Sequence, residues 1–118
     1  MKRQGLPQSP NWQLVIDRLS EFAQKDGLYL AAESAPDSYE NEHYYSDHPM
    51  VLGAFGMFPG TVEMDTSVMA ATFDYIEKNW NWERTWGWDY PMAAMCATRL
   101  GKPEKAIELL LKDVKKNT

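Results

Sequence analysis

Between Glu33 and His48 the chain carries seven acidic or imidazole side chains and no hydrophobic period: Glu33, Asp37, Glu40, Glu42, His43, Asp47 and His48. Carboxyl groups at that density are candidates for proton transfer. Cleavage of a glycosidic bond, for one, needs two of them, an acid and a base or nucleophile. Glu33 stands where the apolar run Leu28 to Ala32 meets the loop. Apolar neighbours disfavour a charged carboxylate and raise its pKa, which suits a general acid. Asp37 follows Pro36 on a stiff turn and is the second candidate. The plainer reading makes both of them solvated loop acids or helix-cap partners. His43 and His48, with Asp47, could hold a metal. Neither an i, i+4 helical pair nor an HExxH word supports that, so capping and hydrogen bonding within the loop is the favoured role. Cys96 falls on an apolar helix stripe and reads as a small core residue. No G-x-S-x-G elbow presents a serine nucleophile. No metal and no cofactor is expected.

The second chemical stretch is Asn79 to Met92, NWNWERTWGWDYPM, with four of the five tryptophans. It joins two segments of helical period, and connections run over the surface. Indoles there need a cover, either the rest of the protein or a ligand with an apolar face. An indole stacks on flat apolar surfaces while its ring N–H keeps a polar partner, and a sugar ring offers such a surface. Trp80 and Trp82 read chiefly as plugs at the end of a helical bundle. Trp86 and Trp88 divide evenly between plug and ligand platform.

Several helices must position these stretches. Ser9-Pro10 is a start signal, and Trp12, Val15, Ile16, Leu19, Phe22 and Ala23 form a stripe that predicts a helix from about Pro10 to Gln24, ended by Asp26-Gly27. Leu28 to Ala32 is a strand or an extended buried segment; its length does not decide. Asp47 is a cap candidate for a short buried helix over Met50 to Phe58, where Gly53 and Gly56 would share a face and admit a close neighbour. Asp65 or Thr66 caps a helix reaching about Asn79, with Val68, Met69, Thr72, Phe73, Ile76 and Trp80 as its stripe. Pro91 opens the next helix, with Met92, Met95, Cys96 and Leu100, and Gly101 closes it. Lys102-Pro103 turns into a last helix with Ile107, Leu110, Leu111 and Val114 inward and a basic end over Lys112 to Lys116, suited to the helix dipole. The expectation is all-α, antiparallel α-hairpins over more than half of residues 1–118, one helical segment. Two antiparallel helices separate the acidic and tryptophan loops, so both are expected at one end of the array.

Three short words carry a family resemblance: Ala35-Pro36-Asp37-Ser38-Tyr39, Ser46-Asp47-His48-Pro49 and Trp86-Gly87-Trp88-Asp89-Tyr90-Pro91-Met92. Together with the residues around them they resemble the middle of the catalytic domain of glycoside hydrolase family 65-like proteins and their bacterial six-hairpin relatives. The resemblance implies an (α/α)6 toroid and inverting cleavage of α-linked glucosides by water or phosphate. Tyr39, Trp86, Trp88 and Asp89, which lie within these words, are the candidate substrate-binding residues. The family's acid is the Glu of a Gly-Pro-Asp-Glu-Tyr run, where this chain has Ser38. The acid is then Glu33, Asp37 or Glu40, or is missing. Such a toroid needs twelve helices, so these residues would be an internal piece of one, inactive alone, with apolar flanks that drive self-association.

The charge balance, 12 basic against 17 acidic side chains, offers no basic stripe for nucleic acid. One cysteine excludes an internal disulfide. No apolar run approaches the length of a membrane span. The first dozen residues have two positive charges without an apolar core after them, unlike a secretory signal, and the compartment stays open. Arg99 to Ala106 resembles the hinge of a tetratricopeptide helix pair, the basis of an alternative reading as a protein-interaction module. No second copy recurs near 34 residues, as that architecture requires. A stand-alone sugar-binding domain is a third reading.

Overall fold

The computed structural model describes residues 5, 9–19, 21–61 and 63–115. Of these, 48% are helical, short of the expected more than half, and the class is all-α with one small β-hairpin. The elements are α1 (Pro10–Ile16), β1 (Gln24–Lys25), β2 (Leu28–Tyr29), α2 (Glu42–Tyr45), a 3-10 turn (Met50–Leu52), α3 (Gly53–Gly56), α4 (Thr66–Asn79), α5 (Asp89–Arg99) and α6 (Pro103–Leu110). Lys116, read as part of the basic helix end, lies outside the described residues, as does most of the N-terminal segment compared with a secretory signal.

Helix α4 follows its local code. Asp65 Oδ1 accepts from the amides of Ser67 and Val68, which would otherwise be unpaired first-turn donors. Met69, Thr72, Phe73 and Ile76 are buried along one face. β2 docks on that face: the Tyr29 amide donates to Thr72 Oγ1 at 2.9 Å, and Tyr29 is 2% exposed. The run Leu28 to Ala32 is therefore a short strand, Leu28–Tyr29, followed by irregular chain with a bend at Ala31.

The turn between α5 and α6 is equally legible. Gly101 takes a φ of +72°. Its amide bonds to the Thr98 carbonyl and that of Lys102 to the Ala97 carbonyl, the paired C-terminal closure that a left-handed residue permits. Pro103 then opens α6. Helix α3 crosses α5 at Gly56, where the Met92 backbone leaves no room for a Cβ. Arg99 Nη1 donates to the carbonyls of Phe55, Gly56 and Phe58 at 2.5, 2.6 and 3.2 Å, tying α3 to the end of α5.

Five expectations need correction. Helix α1 ends at Ile16 and buries none of its residues. Trp12, Val15, Ile16, Leu19 and Phe22 are all exposed, although Phe22 meets the Tyr29 ring edge-on at a centroid distance of 5.7 Å. Asp26-Gly27 does not stop a helix. With φ of +53° and +79° it is the two-residue loop of the β1–β2 hairpin, pairing Lys25 with Leu28. The stretch after His48 is not one helix: a 3-10 turn hands over to a single α-turn. Asp47 does not cap it; Asp47 Oδ1 accepts from the amide of His48, and the 3-10 turn has no side-chain cap. In α6 the inward pair is Ala106 and Leu109, while Ile107, Leu110 and Leu111 are exposed. The tight Gly101 turn sets the helix rotation, and the small Ala106 lets α6 approach α5, whose Ala93, Ala94 and Ala97 are buried too.

Candidate functional site

The tryptophan loop divides into two pairs. Trp80 and Trp82 are 7% and 6% exposed and belong to the core. Their ring N–H groups donate to the carbonyls of Asp47 and Glu77, at 2.7 and 3.1 Å. Tyr90, fully buried, donates its hydroxyl to the Trp82 carbonyl at 2.6 Å. Trp86 and Trp88 are 60% and 40% exposed.

The Trp80 bond also joins this loop to the second half of the acidic loop. Two further contacts strengthen the joint: the Asn81 amide to the Tyr45 carbonyl at 3.2 Å, and Arg84 to Glu42 at 3.2 Å. The result delivers His48 to the two exposed indoles. Its ring centroid is 5.6 Å from that of Trp86 and 4.6 Å from that of Trp88, tilted by 37° and 35°.

Asp89 orders this cluster. It is the first residue of α5, where a negative charge suits the helix dipole, and it is 0% exposed. Its Oδ2 accepts from the Trp86 amide at 2.8 Å. His48 Nδ1 lies 3.0 and 3.1 Å from the two carboxylate oxygens, so Nδ1–H donates to them. One buried carboxylate thus holds both the indole-bearing backbone and the imidazole. The ring's other nitrogen, Nε2, is left as the polar atom that a ligand can meet. Its nearest ion-pair partner is Asp47 Oδ1, at 3.7 Å, too long for a hydrogen bond.

His48 also lines a cavity of about 240 Å³ with Tyr39, Tyr44, Asp47, Val51 and Trp80 among its other walls. Tyr39 contributes its ring only, because its hydroxyl donates to the Tyr29 carbonyl. Burial, and to a lesser degree Tyr75, push the Tyr39 pKa above the usual range. Ser38, at the position of the resembled family's acid, is 1% exposed. Its Oγ donates to the Ala35 carbonyl and accepts from the Ala31 amide, so it is a tie within the loop.

The two carboxyls named as acid candidates sit elsewhere. Glu33 is exposed and lines a different depression, with Glu21, Phe22, Ala23 and Gln24. The apolar enclosure expected for it is absent, because Tyr29 from the preceding run is spent on α4. Asp37 is half-buried and accepts from Asn41 Nδ2 at 2.9 Å, a turn-stabilising contact. Trp86, Trp88 and Asp89 therefore come together with His48, while Glu33 lines a depression other than the one His48 lines. Among the described residues no three His, Cys, Asp or Glu side chains converge as metal ligands. The buried Cys96 thiol is pushed up to about 12 by burial, as befits an inert core residue.

In comparison with known proteins, no family model, curated protein or solved structure matches the chain.

Proposed function

We propose that this chain is the sugar-facing part of a carbohydrate-active helical domain, of the (α/α)6 toroid kind, that cleaves α-glucosidic bonds. By itself it binds α-glucosides and does not cleave them. One observation carries the reading: two exposed indoles, Trp86 and Trp88, lie against an imidazole whose orientation is set by a buried carboxylate. Flat apolar faces beside an oriented polar atom match the alternating C–H faces and hydroxyl edges of a sugar ring. Glu33 and Asp37 remain the acid candidates of the intact domain. Glu33 lines a different depression from His48 and Asp37 is bonded to Asn41, so neither is engaged with the cluster as the acid of that cleavage.

Isothermal titration with maltotriose tests the binding half. Wild-type protein should bind weakly, with a Kd of about 1 mM, or roughly −4 kcal/mol. Trp86→Ala combined with Trp88→Ala should weaken binding about tenfold or more, with stability lowered by about 0.5–1.5 kcal/mol because both rings pack on His48. An unchanged Kd in the double variant would remove the platform from the account. Release of glucose from maltose by the 118-residue chain would remove the claim that it is inactive.

Self-association belongs to the same reading. The uncovered side chains in and just beyond α1 and α6, Trp12, Val15, Ile16, Leu19, Ile107 and Leu111 among them, are the faces that further helices would cover in a toroid. Sedimentation should give a dimer or larger species. A monomer at micromolar concentration with a cooperative melt would contradict this.

A further inference from the structure

We infer that the 240 Å³ cavity beside His48 is a single-sugar subsite, in which the Asp47 carboxylate and His48 Nε2 receive hydroxyl groups. The inference rests on the carbohydrate reading and adds to it a place and a chemistry. Size is the first argument. Drug-sized ligands occupy roughly 300–1,000 Å³, and a cavity of about 240 Å³ falls below that, at the scale of one hexose ring. The walls are the second. Rings of Tyr39, Tyr44 and Trp80 supply apolar surface, and Asp47 and His48 supply the polar edge.

The polar pair is the third argument. Asp47 Oδ1 accepts from the backbone amide next to it at 2.8 Å, which orients the carboxylate, while its side chain stays 61% exposed. His48 is oriented through Nδ1 by Asp89. The two polar atoms, Oδ1 and Nε2, stand 3.7 Å apart. That spacing suits neighbouring hydroxyls of one ring, each bonded to one of them. Continuity is the fourth. The His48 ring lines the cavity and packs on Trp86 and Trp88. A disaccharide can therefore place one unit in the cavity and the next on the indoles.

The test uses the 118-residue chain with maltose and maltotriose as probes. Ala31 lines the cavity, is itself exposed, and contributes to the Ser38 tie only through its backbone amide. Ala31→Phe should therefore fill the cavity without removing a hydrogen bond, and weaken binding of both probes at least tenfold. Asp47→Asn keeps an oxygen for the His48 amide and removes the charge. It should weaken binding about tenfold, as expected for loss of a charge-assisted hydrogen bond. In wild type, the backbone amide resonance of Val51, a cavity wall, should shift on titration. If both variants bind as wild type does while the Trp86, Trp88 double variant does not, the sugar sits on the indoles alone. The subsite is then wrong and the broader reading stands. If wild-type protein binds neither probe, both fall. Should Ala31→Phe not fold, Asp47→Asn decides, being a surface change: an unaltered Kd overturns the subsite.

Discussion

Asp89→Ala should both abolish measurable maltotriose binding and destabilise the fold by about 2–4 kcal/mol. The carboxylate is wholly buried and accepts from two donors, His48 Nδ1 and the Trp86 amide. Alanine leaves both without an acceptor, and an unpaired buried donor costs about 1–3 kcal/mol. His48 is partly exposed and can turn to water, which keeps the total from reaching the full sum. Binding is lost through position: released from Asp89, the imidazole and the Trp86 backbone no longer hold one geometry. Asp89→Asn retains one acceptor oxygen and should cost about half as much. Urea unfolding with parallel calorimetric titration checks both. A wild-type midpoint for Asp89→Ala would mean that the carboxylate is not the organising group.

Gly56→Ala is the second large effect, and it concerns the scaffold. A Cβ built at Gly56 would lie 2.4 Å from the Met92 carbonyl oxygen and 2.8 Å from Met92 Cγ. The first of these is backbone and cannot rotate away, so α3 must lift from α5. Overpacking of this sort costs about 1–3 kcal/mol. Gly53→Ala is the matched control. Its nearest neighbours are Met92 Sδ at 3.5 Å and two flexible methionine ends at 3.8 Å. There the helical gain of alanine over glycine, up to about 1 kcal/mol, should leave stability unchanged or raised. Equal midpoints for the two variants would show that α3 and α5 are not in close contact.

What the sequence discloses follows the reach of its codes. The Asp65 cap, the α4 stripe and the Gly101-Lys102-Pro103 turn are local signals, each completed within a few residues, and each has its expected form. The shared face of Gly53 and Gly56 is legible for the same reason. Periodicity, in contrast, marks a stripe without saying what covers it. The residues of the α1 stripe lie open, and in α6 the buried positions are Ala106 and Leu109, not the expected Ile107 and Leu110. Asp26-Gly27 ends a helix or makes a hairpin with equal ease; the choice is set by α4, onto which β2 docks.

The cluster divides in the same way. Trp86, Trp88 and Asp89 are conspicuous by type within one loop. The partner that joins them, His48, is 41 residues away from Asp89, and no spacing rule links the two. Ser38 is a further case. At the position of the resembled family's acid it reads as a missing carboxyl, and only the fold shows the hydroxyl closing a loop between Ala31 and Ala35. The tetratricopeptide-like alternative rests on the α5–α6 turn alone, which any short antiparallel helix connection can make.

The central claim is that exposed indoles and an oriented histidine bind sugar. It is tested most directly by indole N–H resonances in a ¹H–¹⁵N correlation spectrum during titration with maltotriose. The protein carries its own control, since Trp82 is buried, lies outside the lining of the cavity, and has its N–H bonded to the Glu77 carbonyl. The account predicts that the Trp86 and Trp88 signals move together and saturate with one Kd, while that of Trp82 moves little. Stationary Trp86 and Trp88 signals at saturating sugar would contradict it.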